Sequence, residues 1–301
     1  MLSDSRSYCA AEVRRLDRER YLAALFAPGK RRDALFALYA FNLETAKTAE
    51  VVSEPLLGEI RLQWWREAID GLYDGSVREH PVVAALAEAI ATCGLERSRF
   101  HAILDGRAGD LRDRPFDDLD ALEEYVAETA VPLVQLASQA LGAEDEGTMR
   151  LAREAGLGLG LAGVLRAIPF HARQRRLYVP LSLLAEAGIA PAALFDRTPP
   201  ESFAEAVKPI AARARAHIAA LRKGRHDIPV AARAAFLPLS MSEAYLRRLA
   251  RNGHYVFDPG LAFSPLAVQG RVAWAAFTRR YSAASGTGPD QRSRSISARV
   301  Q

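Results

Sequence analysis

A chain of 301 residues, half of them hydrophobic and a quarter charged, has ordinary globular composition and ample length for a sizeable core. Its net charge of +4 is a mild basic excess without the aromatic-interleaved basic stripe of a nucleic-acid binder, which leaves solubility or an anionic lipid or phosphate partner as its meaning. Two cysteines, Cys9 and Cys93, exclude a disulfide framework, and no Cys/His cluster suggests zinc.

The first twenty residues contain no apolar h-region, so no secretory signal is expected. Alanine and leucine dominate, and apolar residues recur at three- and four-residue spacing almost throughout, so the chain reads as all-α. Arg32–Thr48 carries a wide buried stripe of Leu35, Phe36, Leu38, Tyr39 and Phe41, and Leu57–Leu72 repeats it with Ile60, Trp64, Trp65 and Ile69. Pro81 opens the next helix, where a missing N–H costs little. Helices are then expected over His101–Leu111, Leu119–Leu141, Met149–Ile168, Pro180–Ala187, Glu201–Arg222, Ala231–Arg251 and Val272–Tyr281. Pro169 has no N–H for the carbonyl of Leu165, so a kink or helix end is expected near Ile168. The acidic run Asp117, Asp118 and Asp120 reads as a solvated helix start. The longest uncharged apolar run, Ala155–Leu165, is far too short to span a bilayer. Breaks such as Pro28-Gly29, Asp74-Gly75 and Pro199-Pro200 are turns, and no stretch resembles an interdomain linker. One helical domain over residues 1–281 and a disordered tail over 282–301 are expected.

Two segments carry a specific likeness. Ala37–Glu50 (ALYAFNLETAKTAE) resembles the squalene/phytoene synthase helix ALYAFCR-x-A-DD-x-x-D. Gly160–Pro180 (GLAGVLRAIPFHARQRRLYVP) resembles the second helix of that family, which ends LxNILRDVxxDxxxGRxYLP. Arg61–Ile69, His80-Pro81-Val82, Leu104–Leu111 and Ala244–Phe257 resemble further family blocks in the same order. The resemblance implies a helical bundle of the isoprenoid synthase type around a central cavity. It puts the family's metal-binding aspartates at Ala46, Lys47 and Glu50, and at Ala167 and His171.

Those aspartates matter because loss of diphosphate from a prenyl substrate needs magnesium to neutralise the leaving group, and magnesium takes hard oxygen ligands. Here Glu50 alone is a carboxylate, Lys47 is a cation and His171 is a soft ligand. Val52–Arg66 and Val164–Pro180 fit best the non-catalytic branch typified by the mitochondrial complex I assembly factor. That resemblance implies no catalytic residue, no cofactor, and respiratory complex I subunits or assembly intermediates as partners. The expected compartment is cytoplasmic, with peripheral contact at the inner membrane.

A second reading is a metal-independent binder of a prenyl diphosphate or anionic lipid. Tyr39, Phe41, Gly160, Gly163 and Tyr178 would then line the cavity, with Lys47, Arg166, Arg173 and Arg175 as cations at its mouth. Gly156, Gly158, Gly160 and Gly163 admit two explanations, close helix packing or room for a long apolar ligand. A third reading, an active magnesium-dependent prenyltransferase, needs Glu44, Glu50, Glu54 or the Asp105/Asp110 pair to rebuild a metal site. Otherwise Asp105 and Asp110 read as structural.

Overall fold

The computed structural model describes residues 2–278 except 53, 113 and 196–199, so the tail expected at 282–301 lies outside the described residues. Among the described residues all regular structure is helical. The chain begins with α1 (Leu2–Leu16) and α2 (Arg18–Ala24), the latter capped by the Asp17 carboxylate accepting from the Arg20 N–H at 3.0 Å. Next comes α3 (Gly29–Ala46), buried almost all round because its apolar residues leave no polar face. A single-turn helix, α4 (Thr48–Val51), separates it from α5 (Pro55–Tyr73). In α6 (Pro81–Cys93) His80 Nδ1 caps the first turn by accepting from the Val82 N–H at 3.2 Å, and Gly94 closes the last at φ 62°.

After α7 (Arg97–Gly109), Asp118 caps α8 (Leu119–Thr129) by accepting from the Ala121 N–H at 2.9 Å, as the acidic run implied. The helix expected over Leu119–Leu141 breaks at Ala130, and α9 (Val131–Ala140) restarts with Pro132 in its first turn. A proline there needs no N–H partner but cannot continue the helix before it. The long α10 (Glu146–Arg173) follows, then α11 (Leu181–Glu186) and α12 (Phe203–Gly224). The segment read as one helix over Ala231–Arg251 is α13 (Arg233–Phe236) and α14 (Leu239–Arg251), parted at Pro238. The chain's described part ends with α15 (Pro265–Thr278).

α10 is the hub, packed against α8, α9, α12 and α14, while α3 packs against α1, α6 and α9. The two helices that carry the likeness are therefore the central pair, joined through α9. By length and composition α10 could cross a membrane, but more than half of its apolar window is buried against its neighbours, as in a core helix. The helix does not end near Ile168: α10 runs through Pro169 to Arg173. Proline removes one hydrogen bond to Leu165, and the remaining turn is held by contacts outside the helix, described below.

Neighbouring side chains decide the glycine question. A Cβ on Gly156 would fall 2.5 Å from Val131 Cα, and one on Gly158 would fall 2.8 Å from Ile218 Cγ1. Gly160 meets Val126 and Ala130 in the same way, whereas nothing lies within 4 Å of a Cβ on Gly163. Close packing explains the first three, so Gly160 is no part of a cavity wall.

Candidate functional site

The end of α3 is built around Glu44. Its side chain is only 7% exposed and accepts from Lys47 Nζ at 2.5 Å and from Arg61 Nη2 of α5 at 2.8 Å. Two cations on one carboxylate neutralise it where a lone buried charge would be costly. Lys47 is thereby tied back on its own helix and is not a free cation at a cavity mouth. Ala46 is the last residue of α3, and Glu50 stands exposed on α4 beyond the break.

At the far end of α10, Ala167 is half-buried and His171 stacks on Tyr178, ring centroids 4.2 Å apart. The Tyr178 hydroxyl donates to Asp110 at 2.8 Å. Asp110, 5% exposed, also accepts from Arg107 Nη1 at 3.2 Å, and the same guanidinium donates to the Tyr125 hydroxyl at 2.8 Å. Phe116 packs against both tyrosine rings, and burial raises both phenol pKa values. Asp110 is thus a structural hub, as expected, while Asp105 is exposed and pairs with Arg66 at 2.9 Å.

Burial lowers the His171 pKa to about 4, and its Nδ1 is buried without a partner. An unfolded histidine titrates near 6.5, so between about pH 6.5 and 4 the unfolded chain binds the extra proton and stability falls with pH. Allowing for the ring's partial exposure, the expected loss is about 2 kcal/mol over that window. Urea denaturation midpoints should fall more steeply over this window in the wild type than in His171→Phe, where the remaining slope comes from groups such as His80 and His254.

A cleft of about 860 Å³ opens beside this network, between α4, the Gly109–Asp117 loop, the Gln174–Tyr178 loop and Phe195. Arg112, Arg114, Arg175 and Arg176 line it, facing the carboxylates of Glu54 and Asp117, with Asp110 and Tyr178 at one wall. Arg176 donates to the Ala49 carbonyl, joining the chain beyond α10 to α4, and this bond with the His171–Tyr178 stack holds the turn after Pro169. Arg175 has φ 57°, the left-handed region that favours glycine, and its guanidinium lies 5.2 Å from the Phe195 ring centroid.

The residues expected to share one cavity are dispersed. Tyr39 is buried under Arg20, 5.7 Å from ring centroid to guanidinium. Phe41 is no cavity residue, because Trp65 and Phe100 enclose it edge-on with both centroids 5.4 Å away. Arg166 pairs with Glu19 of α2 at 2.7 Å, and Arg173 is exposed at the end of α10. Of the expected cations, Arg175 alone lines the cleft, with Tyr178. Arg112, Arg114 and Phe195 escaped the sequence reading, since only the fold brings their loops to Arg175.

Of the carboxylates named for a rebuilt magnesium site, Glu54 lines the cleft and the others are engaged or stand apart. Glu44 is neutralised, Glu50 is exposed away from it, and Asp110 is engaged by Arg107 and Tyr178. Among the described residues no group of three or more His, Cys, Asp or Glu side chains gathers as a metal centre requires.

An all-helical bundle with two central motif-bearing helices defines an isoprenoid synthase-type protein. The squalene/phytoene synthase family model matches residues 13–277, and the chain belongs to that family. It is 30% identical over 254 residues to NADH dehydrogenase (ubiquinone) complex I, assembly factor 6, from Bos taurus, covering 84% of this chain and 76% of the relative. Presqualene diphosphate synthase of Sinorhizobium fredii is 30% identical over 201 residues, covering 66% and 71% of the two chains. Among solved structures, squalene synthase HpnC from Alicyclobacillus acidocaldarius superposes with a TM-score of 0.74 at 23% identity, covering 84% of this chain and 95% of that one.

Proposed function

We propose that this protein is a non-catalytic assembly factor for respiratory complex I, in which the aspartates of the parent chemistry have been replaced at Ala46, Lys47, Ala167 and His171. The observation that carries this reading is the state of Glu44. The buried carboxylate at the end of α3 is engaged by Lys47 and Arg61 and so is not free to ligate a metal ion. The assembly-factor relatives match across most of both chains and support the partner. Deleting the gene is expected to abolish assembled complex I on a native gel stained for NADH oxidation, with recovery on complementation. Magnesium-dependent release of diphosphate from farnesyl diphosphate by the purified chain would overturn the loss of catalysis. Unchanged complex I in the deletion strain would overturn the assembly role.

The strained arginine favours a second, compatible reading: the cleft holds a phosphate-bearing ligand, a prenyl diphosphate or an anionic lipid, without metal. The family pattern has glycine where this chain has Arg175. Keeping a side chain at φ 57° costs about 1 kcal/mol, and the guanidinium gains a place among the other cleft arginines. Arg175→Gly is therefore expected to raise thermal stability, by up to about 1 kcal/mol, while weakening farnesyl diphosphate binding measured by calorimetry in EDTA. Undiminished binding by the variant would sink this reading.

A further inference from the structure

α15 has two faces. Val268, Val272 and Ala275 are buried against the bundle, at spacing that puts them on one side of the helix. On the other side, Leu266, Trp274 and Phe277 are 78%, 66% and 80% exposed, and Gly270 lies between them. The one charged residue of the helix, Arg271, is half-buried, so the outward face carries no charge. Phe277 meets Phe26 edge-on at 6.0 Å, and Leu25 and Phe26 are themselves exposed, which extends the apolar surface past the end of α2. Contiguous exposed aromatic surface of this kind marks an interaction site.

The charge distribution says what covers it. Directly after α15, residues 279–301 carry Arg279, Arg280, Arg292, Arg294 and Arg299 against Asp290 alone, a net +4. The whole chain is also +4, so residues 1–278 sum to zero and the entire basic excess follows the exposed face. Tryptophan and phenylalanine on an uncharged helix face, followed by arginines, are what an anionic bilayer surface selects.

We infer that the outward face of α15, with Phe26 beside it, docks this protein on an anionic membrane surface. This inference goes beyond the assembly reading and does not depend on it. The test is cosedimentation of the full chain with phosphatidylcholine vesicles, with and without phosphatidylglycerol, at low and high salt. The wild type is expected to bind the anionic vesicles alone, with binding lost on adding salt and a blue shift of tryptophan fluorescence. Trp274→Glu combined with Phe277→Glu is expected to weaken binding by at least roughly tenfold with an unchanged melting temperature, since both side chains are already in solvent. A variant with the five arginines changed to glutamine is expected to lose the preference for anionic vesicles. Equal binding by the double variant, or no binding by the wild type, overturns the inference. A concentration-dependent dimer in sedimentation velocity, abolished by the double variant and without vesicle binding, would assign the face to a second copy instead.

Discussion

Asp110→Ala is expected to lower the unfolding free energy by about 3–5 kcal/mol, the largest effect of any single change at the cleft. The carboxylate is 5% exposed and answers the charge of Arg107, whose side chain is itself mostly buried. Truncation leaves that guanidinium without its counter-charge and the Tyr178 hydroxyl without its acceptor. Both losses are large because the groups are mostly buried. Asp110→Asn keeps an acceptor for Tyr178 but not the charge, so its cost should fall in between. Asp105→Ala removes an exposed pairing with Arg66 and should cost no more than about 1 kcal/mol. Guanidinium denaturation of the three variants checks the order. Similar costs for Asp110→Ala and Asp105→Ala would mean that the Arg107–Asp110–Tyr178 network does not hold the cleft wall.

The helices were legible because their pattern is local. A stripe such as Leu35, Leu38 and Phe41 repeats at helical spacing, and α3 and α5 appear within three residues of where periodicity puts them. Proline was harder to read. Pro132 and Pro238 both lie at breaks between helices, yet a wide apolar pattern ran across them. Pro169 looked like a kink or a helix end, and the helix does not end there. The difference lies outside the helix, in the Arg176 bond to Ala49 and the His171–Tyr178 stack, which no local window contains. The site follows the same rule. The sequence named Lys47, Arg166 and Arg175 as cations, but Glu44, Glu19 and Phe195 decide what each does, and two of these three partners come from distant elements. Only Lys47 and Glu44, three residues apart at the end of α3, could have been paired in advance.

Gly156→Ala is expected to destabilise the fold by about 3 kcal/mol, although alanine is the better helix former by about 1 kcal/mol. The added Cβ would sit 2.5 Å from Val131 Cα, and a backbone atom cannot rotate aside as a side-chain end can. The contact joins α10 to the first residue of α9, so relief requires α9 and α10 to move apart and loosens the packing around both. Gly163→Ala is the internal control, on the same helix two turns later, with nothing within 4 Å of the new methyl. There the helix-propensity gain stands alone, and stability should rise by about 0.5–1 kcal/mol. Chemical denaturation of the two variants separates the effects by sign. Destabilisation by both would mean that space at Gly163 is also taken up, and that this stretch of α10 is packed along its whole length. Opposite signs would place close packing at Gly156 and open space at Gly163, so that only the face of α10 that carries Gly163 is accessible to a ligand.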